Sequence, residues 1–228
     1  ALAAVGDRRA IEPLVPLVVD QHPKVRLWGA KAIRSFGAPG LQALIDNMAT
    51  GAPYTNLVYL DEAGGHVTLR QEIKEILARS GKEALPLLIA ALGSEDRNIR
   101  VNIPGILGRM ETDAEEALPA MIAALELDDP QFQANLIAAM AKVGDLHPDV
   151  MPTLKRLTAH PNKRVAKAAR RAKKTLEKAA RDKKPAAQKR GGVRPGKAAT
   201  TPGTSPATPR QRAAAGETPA PREPKAEP

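Results

Sequence analysis

The sequence predicts an all-α fold: an α-solenoid of stacked antiparallel helix pairs, followed by a disordered tail. Three observations predict it. An apolar anchor recurs at Val25, Leu69, Ile99, Phe132 and Val165, at intervals of 44, 30, 33 and 33 residues. A proline anchor at Pro86, Pro119 and Pro152 keeps the same register, at 33 and 33. Residues 185–228 hold nine prolines and one bulky aliphatic, Val193. A helix pair that cannot bury its own apolar stripe does so by stacking on its neighbours. A segment without such a stripe cannot offset its chain entropy. The expected division is therefore a solenoid over 1–183, of about five repeats, and a disordered basic Pro/Ala-rich tail over 184–228.

The elements follow in order. ALAAVGD opens without Met and reads as the end of a helix whose start lies upstream. The first repeat is thus expected to be truncated, leaving Leu14 and Val18 uncovered. IEPLVPLVV is the first copy of a Leu/Val-rich helix A; EALPLLIAAL, EALPAMIAAL and DVMPTLKRL repeat it. HPKVRLWGAKAIRSFG, residues 22–37, is a helix B, with Pro23 in its first turn and one side made of Gly29, Ala30, Ala32 and Ile33. Side chains this small fit a helix pressed against another copy of itself. The first interval exceeds 33 by 11 residues, and the excess falls in ATGAPYTNLVYLDEAGG, residues 49–65. Insertions in solenoids emerge as loops. This one holds both tyrosines, Tyr54 and Tyr59, which serve either as a lid over the second repeat or as a contact loop. Pro104 sits inside a helix B and is expected to bend it. No strand is expected anywhere.

These segments resemble the short HEAT-like repeats of the phycobilisome-lyase type. VGDRRAIEPLVPLVVDQHPKVRLWGAKAI follows that pattern nearly throughout, and the resemblance covers residues 1 to about 180. Val-Arg persists as Val25-Arg26, Leu69-Arg70 and Ile99-Arg100 and is lost at Phe132-Gln133 and Val165-Ala166. The resemblance implies a helix-B face that lines a concave binding surface. It also implies that Arg26, Arg70 and Arg100 bond to carboxylates of the preceding turns, such as Asp20 and Asp96.

The net charge of +10 is uneven. Residues 1–160 carry 16 Lys/Arg and 20 Asp/Glu, and residues 161–228 carry 19 and 5. By this reckoning the solenoid is mildly acidic and the basic excess belongs to the C-terminal end. Such asymmetry concerns partners, not fold. Cysteine is absent, which excludes disulfides, thiolate metal sites and a thiol nucleophile. No apolar run approaches the roughly 18–20 residues that span a bilayer. His22, His66, His147 and His160 include no i,i+3 or i,i+4 pair, so no helix presents a metal site. The acidic clusters at 95–97, 113–116 and 127–130 fall in turns and first turns, where they cap helices. No catalytic residue, metal or cofactor is expected.

Three candidate sites remain. Trp28, Glu72, Asn102 and Asn135 each lie three residues after an anchor, on the concave face, and are the expected protein-binding row. Tyr54 and Tyr59 mark the insertion. Arg164, Lys167, Arg171, Lys174, Lys178 and Arg181 form one stripe of the last helix and are the phosphate-binding candidates, against a polar capping helix as the alternative. The leading expectation is a non-enzymatic scaffold that binds another protein as a monomer. Sequence-independent nucleic-acid binding through the basic end is the alternative. A bilin lyase-like or DNA-glycosylase-like enzyme, which the HEAT-like resemblance also allows, ranks last.

Overall fold

The computed structural model describes residues 8–54, 56–144 and 147–183. The expected tail over 184–228 and the ALAAV remnant of an upstream helix lie outside them.

Among the described residues, five helix pairs stack in one unit. The first members form an A layer: the 3₁₀ segment Glu12–Val19, α2 (Ala38–Asp46), α4 (Leu85–Ala91), α6 (Leu118–Ala123) and α8 (Val150–Leu157). The second members form a B layer: α1 (Pro23–Ser35), α3 (Leu69–Arg79), α5 (Arg97–Met110), α7 (Pro130–Val143) and α9 (Lys163–Lys183). Successive B helices pack together from α3 to α9, whereas α1 and α3 both rest on Glu12–Val19.

Proline placement explains the short A helices. Pro39, Pro86 and Pro119 occupy first turns, where a missing N–H costs nothing. In the first copy a second proline, Pro16, falls mid-segment. It cannot donate an i→i−4 bond, and Glu12–Val19 winds as a 3₁₀ helix instead. In α5 the helix runs through Pro104. The carbonyl of Arg100 thereby loses its ordinary partner, and one residue on, Asn135 of α7 donates its side-chain amide to the carbonyl of Val101 at 2.9 Å.

The B helices begin with strong caps. Asp96 accepts the N–H groups of Asn98 and Ile99; Asp129 accepts those of Gln131 and Phe132. Thr68 and Gln71 close a capping box on α3. The same residues tie one repeat to the next. Thr50 N–H donates to Asp96 at 2.8 Å, and Arg97 Nε donates to Asp129 at 2.9 Å. Arg164 donates to Gln131. The Thr50 N–H above all, with those of Ile99 and Asn98, holds the Asp96 carboxyl below the ordinary range. Burial alone would raise Asp129, but the Phe132 N–H and Arg97 outweigh it.

Between the layers runs one apolar core. Phe132, Ile33, Leu41, Leu44, Leu69, Ile73, Leu88 and Ile103 are among its fully buried members. Each such side chain contributes roughly 1.5–3 kcal/mol of transfer free energy, which offsets the entropy of ordering the stack.

Four expectations need correction. Strands do exist: β1 (Val58–Leu60) pairs antiparallel with β2 (His66–Thr68), in the register Val58↔Thr68, Tyr59↔Val67, Leu60↔His66. The segment alternates, so Tyr59 turns inward between Val58 and Leu60, a period of two that helical spacing obscured. Next, Arg26 and Arg100 bond to backbone, not carboxylates. Arg26 donates to the carbonyls of Asp20 and Gln21, and Arg100 to those of Ser94 and Glu95. The Asp96 carboxylate is already taken by amide donors. Third, Val18 is buried rather than uncovered, because α1 and α3 both pack on its segment. Last, the smallness of Gly29 serves its own repeat. A Cβ there would stand 2.9 Å from the Cβ of Leu17 in the partnering 3₁₀ segment. The copy-to-copy reason applies to Gly108, whose added Cβ would lie 3.4 Å from the Cβ of Ala139 on the next B helix.

Candidate binding faces of the B layer

Two pairs of B helices line their grooves through equivalent positions. Residues two, six and nine after one anchor stand across from residues three, seven and ten after the next. In α5 and α7 these are Val101, Gly105 and Gly108 against Asn135, Ala139 and Lys142, which line one groove of about 240 Å³ with Lys74 at its edge. In α1 and α3 they are Leu27, Lys31 and Arg34 against Glu72, Ile76 and Arg79, around a groove of about 190 Å³. The expected row of Trp28, Glu72, Asn102 and Asn135 thus lies along the outer edge of these seams.

Its members differ in what they can offer. Trp28 is 66% exposed, with the Lys31 ammonium 5.0 Å from its ring centre. Glu72 is half-buried and accepts the Tyr59 hydroxyl at 2.7 Å. Asn102 donates to the carbonyl of Asn98 one turn back. Asn135 donates to Val101 and accepts from Gln131 Nε2 at 2.9 Å. Three of the four are thus committed to bonds within the stack, and Trp28 is the one that projects.

The insertion folds back. Tyr59 is 7% exposed, its ring under the Arg26 guanidinium at 3.8 Å and its hydroxyl on Glu72. It bridges α1 to α3. Burial first, then the Glu72 hydrogen bond, pushes its hydroxyl above the ordinary tyrosine range. Tyr54 packs, partly buried, against the same core. What the hairpin presents outward is Leu57, Val58 and Leu60. Together with Leu27 and Trp28 they make up five of the six exposed large apolar side chains among the described residues. Sequence reasoning missed four of them; the alternation in LVYL ahead of a DEAGG turn is the signal that marks a hairpin with one face out.

At the other end, Arg164, Lys167, Arg171, Lys174, Lys178 and Arg181 are all exposed on one side of α9. Val165, Ala166, Ala169, Ala172 and Leu176 are buried opposite, toward α7 and α8. Lys167, Arg171 and Lys174 occupy the two, six and nine positions after the Val165 anchor, as Leu27, Lys31 and Arg34 do after Val25.

Residues 85–174 match the family model described as HEAT repeats. No curated protein matches the chain. Similar solved structures include the complex of CpcE and CpcF of phycocyanin lyase from Nostoc sp. PCC7120. It is 23% identical with a TM-score of 0.44, over 74% of this chain and 65% of that one. Computationally designed armadillo repeat proteins for modular peptide recognition are 21% identical with a TM-score of 0.39, over 73% of this chain and 82% of theirs. An engineered protein is 16% identical with a TM-score of 0.41, over 74% and 79%. Residues 85–174 of this chain thus resemble HEAT repeats, within a mostly helical stack of paired helices.

Proposed function

We propose that the chain is a non-enzymatic scaffold that binds a protein partner on its B-layer face, with the first contact at the α1–hairpin end. One observation carries this reading: five of the six exposed large apolar side chains among the described residues, Leu27, Trp28, Leu57, Val58 and Leu60, lie on α1 and on the hairpin segment that Tyr59 ties to it through Arg26. Clustered exposed apolar surface marks partner binding more often than single residues do, and tryptophan is over-represented among side chains that dominate binding energy. Glu72, Asn102 and Asn135 act in this proposal by holding the seam beneath the partner. Lys31, Arg34 and Arg79 border the patch, so the partner's matching surface is apolar with acidic flanks.

The test places a photo-crosslinking amino acid at Leu60, and at Lys82 in the A layer as a control. The partner trapped only at Leu60 is identified, purified and titrated against Trp28→Ala and Leu60→Ser variants. A loss of tenfold or more in affinity, with helical content unchanged, is expected. Equal trapping at both positions, or unchanged affinity in both variants, overturns the assignment.

A further inference from the structure

The mild acidity of residues 1–160 conceals a separation that only the fold reveals. The five B helices hold 21 Lys and Arg against four Asp and Glu. The helical segments outside the B layer, A helices and short 3₁₀ turns together, hold five against eight. With α9 set aside, the B helices still carry 11 against two. The basic excess thus lies in the B layer, while the A helices are balanced at two against two and the acids gather in the short 3₁₀ turns.

Complementing helix dipoles does not account for this. Last-turn cations do occur in α1, α3, α5 and α7, at Arg34, Arg79, Arg109 and Lys142. The same physics should place them in the A helices, yet α2, α4 and α6 have none in their last turns and only α8 does, at Lys155 and Arg156. Lys31, Lys74 and Arg171 also lie away from helix ends. The charges follow a face, not a terminus.

They form a band. Lys31, Arg34 and Arg79 line the groove between α1 and α3. Glu75 stands between Arg79 at 2.9 Å and Arg109 at 3.8 Å, and Lys74 and Lys142 border the next groove. Arg171 and Lys174 continue the band on α9. Arg34 and Lys142 have no anionic partner among the described residues. Burial, then Arg109 and Arg70, weakens the hold of Lys74 on its proton, with Glu75 the acid that bonds to Arg79 and Arg109. Packed helices lie about 8–10 Å apart, so five B helices span roughly 32–40 Å, close to the ~34–36 Å of one duplex turn.

We propose that this B-layer band binds the phosphate backbone of double-stranded nucleic acid, independently of sequence. Spaced single cations suit regularly spaced phosphates, and the band has no aromatic series on which unpaired bases would stack. The apolar stripe of α9 is buried in the stack, so that helix has nothing to insert into a bilayer. This goes beyond the protein-binding proposal: the band shares Lys31, Arg34 and Arg79 with the border of the Trp28 patch but uses none of its apolar side chains.

The test is fluorescence anisotropy of a labelled 30-base-pair duplex with the full chain across a range of salt. A triple variant, Lys31→Ser, Arg34→Ser and Lys142→Ser, leaves α9 and the tail intact. A second, Lys82→Ser, Lys155→Ser and Arg156→Ser, makes the same charge change outside the B layer, at three exposed positions. Each lost phosphate contact lowers the log–log salt slope by about 0.9. The expected result is a slope lower by about 2–3 and affinity at least tenfold weaker for the first triple, and a change under twofold for the second. Equal losses in both would show that only overall charge, or residues beyond the band, binds. Binding of wild-type chain to phosphatidylserine vesicles but not to duplex would assign the band to a membrane surface. Either outcome overturns the proposal.

Discussion

The seam between α5 and α7 and the seam between α1 and α3 are built from the same positions and work in opposite ways. At α5–α7 the facing residues are Val101, Gly105 and Gly108, and the backbones close directly on one another. At α1–α3 they are Leu27, Lys31 and Arg34, and Tyr59 from the insertion fills in, stacked under Arg26 and bonded to Glu72. One seam is sealed by small residues and leaves little to offer a partner. The other keeps long side chains, leaves Leu27 and Trp28 outside, and needs a third element to hold it. A repeat can thus trade packing for binding surface by changing three residues and lengthening one loop.

The sharpest way to break this contrast is to exchange the ninth position. Gly108→Leu forces a branched side chain into the space where even a Cβ would stand 3.3 Å from the Ala139 Cα. Overpacking of that kind is expected to cost about 3 kcal/mol, read as a lower urea midpoint. Arg34→Leu, at the same position of α1, is exposed and is expected to stay within about 0.5 kcal/mol of wild type. Similar losses in both would mean that α1–α3 is as tightly sealed as α5–α7.

A smaller effect tests the wedge. Tyr59→Phe keeps the ring beneath Arg26 and removes the hydroxyl from Glu72, at an expected cost of about 1 kcal/mol near neutral pH. The sign of its pH dependence follows from the raised Tyr59 hydroxyl. A group whose pKa is raised on folding contributes stability that is present below its unfolded value, about 10, and is lost as pH rises through the folded value. The gap between wild type and Tyr59→Phe should therefore narrow above pH 10, measured by urea unfolding at pH 7, 10 and 11. A gap that widens with pH would contradict the geometry around Tyr59.

The repeat was legible because burial imposes it. Leu69, Ile99, Phe132 and Val165 each enter the core, so their spacing survives in the sequence, although Val25 at the first position is only half-buried. Asp96 and Asp129 were legible as caps for the same reason: a helix start needs an acceptor. What was not legible depends on which way a side chain faces after folding. Tyr59 and Leu60 are neighbours in sequence, yet one is buried and the other exposed, a strand's alternation inside a helical chain. Glu72, Asn102 and Asn135 share an offset with Trp28, but bonds to Tyr59, Asn98 and Val101 commit them within the stack. Charge summed along the chain averaged Arg34 and Lys142 with the acids of 111–116, which lie in the 3₁₀ turn between α5 and α6.

The finest test lies inside α5, one turn from the tight contact. A Cβ added at Gly105 meets nothing within 4 Å, unlike one at Gly108. Glycine in a helix interior costs about 0.5–1 kcal/mol relative to alanine. Gly105→Ala is therefore expected to stabilise the chain by about that amount, seen as a higher urea midpoint with an unchanged slope. Because Gly105 borders the groove while Gly108 carries the seam, gain at one and loss at the other would separate surface from packing within a single helix. If Gly105→Ala instead destabilises, α7 approaches α5 along more of its length than Gly108 and Ala139 alone, and the seam is tighter than its groove suggests.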